Sequence, residues 1–247
     1  MNKKLKVTER ENLVLCLLLE NKVMTRRQIA NHVFPGLDKG NLSHRLNRVL
    51  NLGLVKDYLD RRLDKYDILY ELSGEGVAYA KSIYSMEFDQ SPARSYAYEH
   101  DVGLVNLRRL FQNKPSVKKY ISENILQCCP VVRDSASYKS FSEMMSDAVI
   151  VFQAQTKLRT GALEFEPTAK WIERYRDKVL NYYVKSDIGF VLYVCTSETT
   201  IQAIRTIENA IKPEGATKIY FSLLENVLAA KDKVIFEGRN QATIEIN

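Results

Sequence analysis

Between Thr8 and Leu52 the apolar positions recur at helical spacing in three blocks separated by short polar breaks. A repeat of three to four residues marks a helix with one buried face, whereas alternation or a short unbroken apolar run marks a strand. Residues 8–20 read as a buried helix. Thr25-Arg26-Arg27-Gln28 has the form of a capping box and opens a second helix that turns Ile29, Ala30 and Val33 inward, until Phe34-Pro35-Gly36 stops it. The third helix runs from Asp38, its N-cap, to Leu52. Leu42, Leu46, Val49 and Leu50 form its apolar stripe, and Gly53 stands where a C-terminal cap belongs. Segments 54–59 and 66–72 then read as a hairpin around the polar turn 60–65, and Ser73 caps a further helix toward Tyr84.

Farther along, the pattern predicts a helix over 98–111, a strand over 117–127, and a polar hairpin loop over 134–143. Strands follow at 147–153 and 161–166, and Thr168 is expected to cap a long helix through Tyr183. Residues 188–195 are continuously apolar, as a parallel strand buried on both faces would be. A helix over 200–211 and a strand over 218–222 complete the reading, and the tail is left without assignment. The polar stretch 87–95, with Pro92, marks a boundary, giving domains 1–88 and 89–247. The first resembles a winged helix-turn-helix over about 80 residues. The second has the order α, β, β, β, α, β, α, β of a restriction-endonuclease-like core, so the expected class is α+β to α/β, with a winged helix followed by a mixed-sheet domain.

Charge adds a direction to this picture. The chain of 247 residues carries a net +6, and five of those six charges fall within residues 1–86. A local basic excess suits an electrostatic footprint on phosphates, though a membrane surface would attract it as well. The polar face of the third helix supplies the candidates. Asn, His and Arg side chains on a helix lying in the major groove reach base edges or phosphates, which points to Lys39, Asn41, His44, Arg45 and Arg48. Asn47 shares that face. Arg61, Arg62 and Lys65 would sit on the wing. The partner expected is double-stranded DNA, although single-stranded substrate is not separated from it by sequence. A solvated helix face, or a surface for another protein, would carry the same residue types.

Composition excludes several other classes. The apolar run Leu13 to Leu19 is far shorter than a bilayer span, and no cleavage site follows Met1-Asn2-Lys3-Lys4. Cys16, Cys128, Cys129 and Cys195 lack Cys-x-x-Cys spacing, which suggests reduced thiols and a cytoplasmic protein, with no membrane partner. His32, His44 and His100 are too scattered for a recognisable zinc site.

A second constellation lies in the strands. Glu164 and Glu166 alternate with Leu163 and Phe165, so both acids share one strand face. With Asp147 at the start of the adjoining strand they would offer oxygens to a hard cation such as Mg2+, with Glu123 as a further ligand or base. Tyr175, Tyr182 and Tyr183 fit core packing better than nucleophilic chemistry, and His100 fits packing or capping.

On these landmarks, together with Glu99-His100-Asp101 and the helix carrying Arg174, Tyr175, Lys178 and Tyr182, the chain resembles the PD-(D/E)XK nuclease superfamily. More narrowly it resembles the replication-relaxation family of plasmids and other mobile elements. The resemblance implies catalytic roles for Asp147, Glu164, Glu166 and Lys170 and metal ligation by Asp147, Glu164 and Glu123. It also departs from the motif: Glu166 stands where the lysine belongs, so Lys170 would have to reach back, and no proline precedes Asp147. Two functions are therefore expected. One is a DNA-binding protein of a mobile element that nicks or cleaves with a divalent metal, alongside replication or transfer proteins. The other is a homodimeric winged-helix regulator whose nuclease-like domain is inactive and serves in oligomerisation.

Overall fold

The computed structural model describes residues 6–59, 67–91, 95–211 and 217–247. Two compact units emerge: Met1–Asn106 with Gln127–Val131, and Leu107–Leu126 with Val132–Asn247. The polar stretch at 87–95 lies inside the first.

In the first unit α1 (Glu9–Asn21), β1 (Val23–Thr25), α2 (Arg26–Val33) and α3 (Lys39–Asn51) precede a hairpin of β2 (Val55–Leu59) and β3 (Ile68–Leu72), with α4 (Gly74–Ile83) after it. This is the winged-helix order. The three strands form an antiparallel sheet in the order β1-β3-β2. The short strand β1 has no periodicity to betray it in the sequence. Both early helices open on capping boxes. Thr25 Oγ1 accepts from Gln28 N at 3.1 Å while Gln28 Oε1 accepts from Thr25 N at 2.9 Å, and Thr8 with Glu11 repeats the arrangement on α1. Val14, Leu15, Leu18, Ile29, Leu42, Leu46, Val49 and Leu69 are all buried, and α1, α2 and α3 pack against the strands of the small sheet.

The junction between α3 and α4 depends on two glycines. Gly53 adopts φ +71 directly after Leu52, where a side chain would be strained. Gly76 is needed for proximity instead: a Cβ there would lie 1.8 Å from the Leu54 carbonyl oxygen. Ser73 locks the same junction, its N–H donating to Leu54 O at 3.1 Å and its hydroxyl donating to Gly53 O.

Helix α5 (Tyr98–Gln112) begins in the first unit and ends in the second. The second unit is built on a seven-stranded mixed sheet. After β4 (Val117–Ser122) come three short helices, α6 (Glu123–Cys128) and α7 (Pro130–Arg133), whose residues Gln127–Val131 belong to the first unit, and α8 (Lys139–Glu143). The hairpin β5 (Ala148–Ala154) and β6 (Lys157–Glu166) follows, then α9 (Ile172–Val184), β7 (Val191–Cys195), α10 (Glu198–Ile211) and β8 (Ile219–Leu223). The chain ends on α11 (Leu224–Ala229) and the hairpin β9 (Val234–Gly238) and β10 (Thr243–Ile246). Strand order is β10-β9-β8-β7-β6-β5-β4. Among the described residues only β6-β7 and β7-β8 are parallel, each joined by a helical crossover, as parallel neighbours require.

Three local expectations are corrected, and the tail gains an assignment. The strand expected over 117–127 ends at Ser122, where the backbone turns into α6 and Glu123 N donates to Asp147 O at 3.1 Å. The polar stretch 134–143 is no hairpin loop but enters α8, burying Ser140, Phe141 and Ser142. Helix α9 starts at Ile172 rather than beside Thr168, and Trp171 precedes it without a side-chain cap. The unassigned tail forms an edge hairpin. Its last residue meets the opposite edge of the sheet: Asn247 O accepts from Ser116 N at 2.9 Å and from Ser116 Oγ at 2.6 Å.

Candidate functional sites

In the first unit, α3 offers a face with no acid anywhere along the helix. Its N-cap, Asp38, accepts from Gly40 N at 2.9 Å and Asn41 N at 3.0 Å. The backbone hydrogen bond from Asn41 is the main reason that its carboxyl titrates below the ordinary carboxylate range. Leu42, Leu46 and Val49 are buried, which turns Lys39, Asn41, His44, Asn47 and Asn51 to the exposed side. Arg26, at the start of α2, fixes where that face begins, donating to Lys39 O at 2.9 Å and to Ser43 Oγ.

The candidate residues are not equivalent. Lys39 and His44 are exposed; Arg45 is half-buried on the flank. Asn41 is exposed too, but its amide donates to Asp38 Oδ2, so binding a base edge would require releasing the cap. Arg48 turns back toward α1: its Nε lies 3.3 Å from Glu11 Oε1 and its Nη2 donates to Lys6 O at 3.1 Å. That contact gives Glu11, only 1% exposed, a cationic neighbour. Asn47 and Asn51 complete the exposed row, three residues on from His44 and four on from Asn47. Arg61, Arg62 and Lys65 lie outside the described residues.

In the second unit, Asp147 and Glu164 are brought together by the end of a strand ladder. Strands β5 and β6 pair from Ala154↔Lys157 to Ala148↔Leu163, and β6 then continues alone on that side. Phe165 N would be left unpaired there, and Asp147 Oδ2 accepts from it at 2.8 Å. Alternation along β6 sends Glu164 and Glu166 to one side, as expected, yet they are buried at 1% and 2% exposure rather than lying on a solvated edge.

Burial at this depth demands partners, and α9 provides them. Its inward row is Tyr175, Lys178, Val179 and Tyr182, at the spacing of one helix face. Glu164 Oε2 pairs with Lys178 Nζ while Glu164 Oε1 accepts from Tyr182 Oη. Ser146 Oγ lies 2.9 Å from Tyr182 Oη and extends that chain. Glu166 pairs with Lys170 Nζ at 2.7 Å, and Tyr175 Oη, which donates to Glu166 at 3.5 Å, also receives Lys170 N at 2.9 Å. Lys170 does reach back, from the segment before α9. Lys178, Tyr182 and Ser146 stand beside the acids although sequence reasoning did not select them as site residues; the row spacing 175, 178, 182 was the available signal.

Burial drives the Glu164 carboxyl up to about 7, with Lys178 opposing the shift and Asp147 adding to it. For Lys178, burial acts downward, but the carboxylates of Glu164 and Asp147 outweigh it and hold the ammonium above its ordinary range. Tyr193, beside Glu164 on β7, is fully buried and its hydroxyl has no hydrogen-bond partner among the described residues. The donor set does not fit a divalent ion as it stands. Both Glu164 oxygens are engaged, Asp147 Oδ2 is given to Phe165, and a lone phenol is a poor ligand for a hard cation. Among the described residues no three His, Cys, Asp or Glu side chains gather as a metal-holding group. Glu123 takes its place at the first residue of α6.

No protein-family model matches the chain, and no curated protein does. Among solved structures, mutants of ZitR from Lactococcus lactis show partial similarity. One shares 22% identity over 33% of this chain and 53% of its own, with a TM-score of 0.28. Another, in apo form, shares 20% over 42% and 66%, with a TM-score of 0.27. The chain thus spans about half the length of the first of these structures, and superposition at this level carries no functional argument. No helix among the described residues is long and apolar enough to cross a membrane, and all four cysteines are free thiols.

Proposed function

We propose that the protein binds duplex DNA through α3 and acts as a DNA-binding regulator. The observation that carries this reading is the outward row Lys39, His44, Asn47 and Asn51, on a helix free of acids and clamped by Arg26 and its own apolar stripe. A helix with such a face fits the major groove, where asparagine and histidine pair with base edges and lysine neutralises phosphate. Arg45 adds charge at the flank. Arg61, Arg62 and Lys65, which lie outside the described residues, join the proposed footprint on sequence alone. Arg48 belongs to the support rather than the contact surface, because it is committed to Glu11. The setting implied by the resemblance, replication or mobilisation of a mobile element or its control, forms part of this proposal, as does a homodimer on two half-sites.

Fluorescence anisotropy of a labelled mixed-sequence duplex across a salt series tests the reading. Affinity should fall as salt rises, and Lys39→Ala should flatten the slope of log affinity on log salt by about 0.9, the value for one lost phosphate contact. His44→Ala and Asn47→Ala should instead narrow the gap between a selected site and random duplex. Absence of salt-sensitive binding, or three variants indistinguishable from the parent, would sink the proposal.

A further inference from the structure

Acids gathered from adjoining strands ordinarily recruit a divalent ion, because oxygen ligands and negative charge are what such an ion needs. In the second unit an internal ammonium already meets that need. Lys178 Nζ pairs with Glu164 Oε2, and α9 fixes its approach by burying Tyr175, Val179 and Tyr182 on either side of it. Tyr182 occupies the other Glu164 oxygen, and Asp147 is held by Phe165 N. Lys170 neutralises Glu166 in the same way. Two lysines therefore stand among three carboxylates, and a divalent ion reaching Glu164 would have to displace Lys178 against the packing of α9.

We propose that the Lys178 ammonium is the resident cation of this site, so that the second unit takes up no magnesium or manganese while the Lys178–Glu164 pair is intact. The site is then a metal-independent ionic core, and the resemblance to a metal-dependent nuclease does not extend to its chemistry. Both oxygens of Glu164 already accept hydrogen bonds, one from Lys178 and one from Tyr182, so a metal would compete with each of them. This inference is independent of DNA binding by α3, and its test involves no DNA.

The test measures Mn2+ uptake by electron paramagnetic resonance, and melting with and without Mg2+, on the full chain and two variants, Glu164→Gln and Lys178→Met. The parent should bind no more Mn2+ than Glu164→Gln, and its melting temperature should not move with Mg2+. Lys178→Met, which keeps the stem but removes the charge, should gain one Mn2+ and melt higher in Mg2+. Uptake by the parent that Glu164→Gln abolishes would overturn the proposal. So would a folded Lys178→Met that binds no metal, since the ammonium would then not be what excludes it. Should that variant fail to fold, uptake by the parent that Glu164→Gln abolishes would still overturn the proposal.

Discussion

Gly76→Ala should destabilise the first unit by about 3 kcal/mol, the upper part of the range for overpacking. Two effects oppose each other. Alanine is the better helix former by about 1 kcal/mol, and Gly76 lies in the first turn of α4. Against this, the new methyl would sit 1.8 Å from the Leu54 carbonyl oxygen, and the obstacle is backbone rather than the flexible end of a side chain. The clash wins because relieving it means withdrawing α4 from Leu54, which also breaks the Ser73 hydrogen bonds to Leu54 and Gly53. Those bonds hold the end of α3. A thermal melt should show the loss directly, and DNA affinity should fall in the same variant although no proposed contact residue has been touched. A melting temperature equal to the parent's would show that the α3–α4 junction is less rigid than its geometry implies.

Lys178→Ala should cost about 3–5 kcal/mol at alkaline pH, because it leaves Glu164 buried with no cation beside it. The carboxyl has an escape: it can take up a proton. In the parent, burial holds Glu164 at about 7, above the ordinary glutamate value of 4.5, so between these values the folded state carries a proton that the unfolded chain has lost. Stability from this group is therefore fully present below pH 4.5 and declines as pH rises through 7. Without Lys178, which opposes the shift, the folded carboxyl should titrate higher still and the decline should extend to higher pH. Denaturant melts at pH 5 and pH 8 check the sign: the penalty of Lys178→Ala should be smaller at pH 5. A penalty that does not change with pH would mean that Glu164 finds another partner.

The first unit was legible because its signals are local. Thr25 and Gln28, Asp38, Gly53 and Ser73 are caps readable within four residues, and the stripe Leu42, Leu46, Val49 needs only periodicity. What failed there was β1, three residues fixed by pairing with β3 some 45 residues away, as Val23↔Glu71 to Thr25↔Leu69 show. The role of Arg48 escaped for a similar reason: its partner Glu11 lies on another helix. In the second unit, alternation placed Glu164 and Glu166 on one face, but alternation cannot say whether that face is wet. Their burial comes from α9, whose Tyr175, Lys178 and Tyr182 were recognised as landmarks without their targets. The true end of β4 at Ser122 was hidden because the apolar residues Ile125 and Leu126 continue the pattern in helical form.

The bonds between Ser116 and Asn247 join positions 131 residues apart, across the two outer strands of one sheet. Loop-closure entropy makes such a contact one of the last to repay its cost, after the intervening strands have already paired. The β9–β10 hairpin should accordingly dock late in refolding, and amide exchange at Ser116 should report completion of the whole sheet rather than local breathing at its rim.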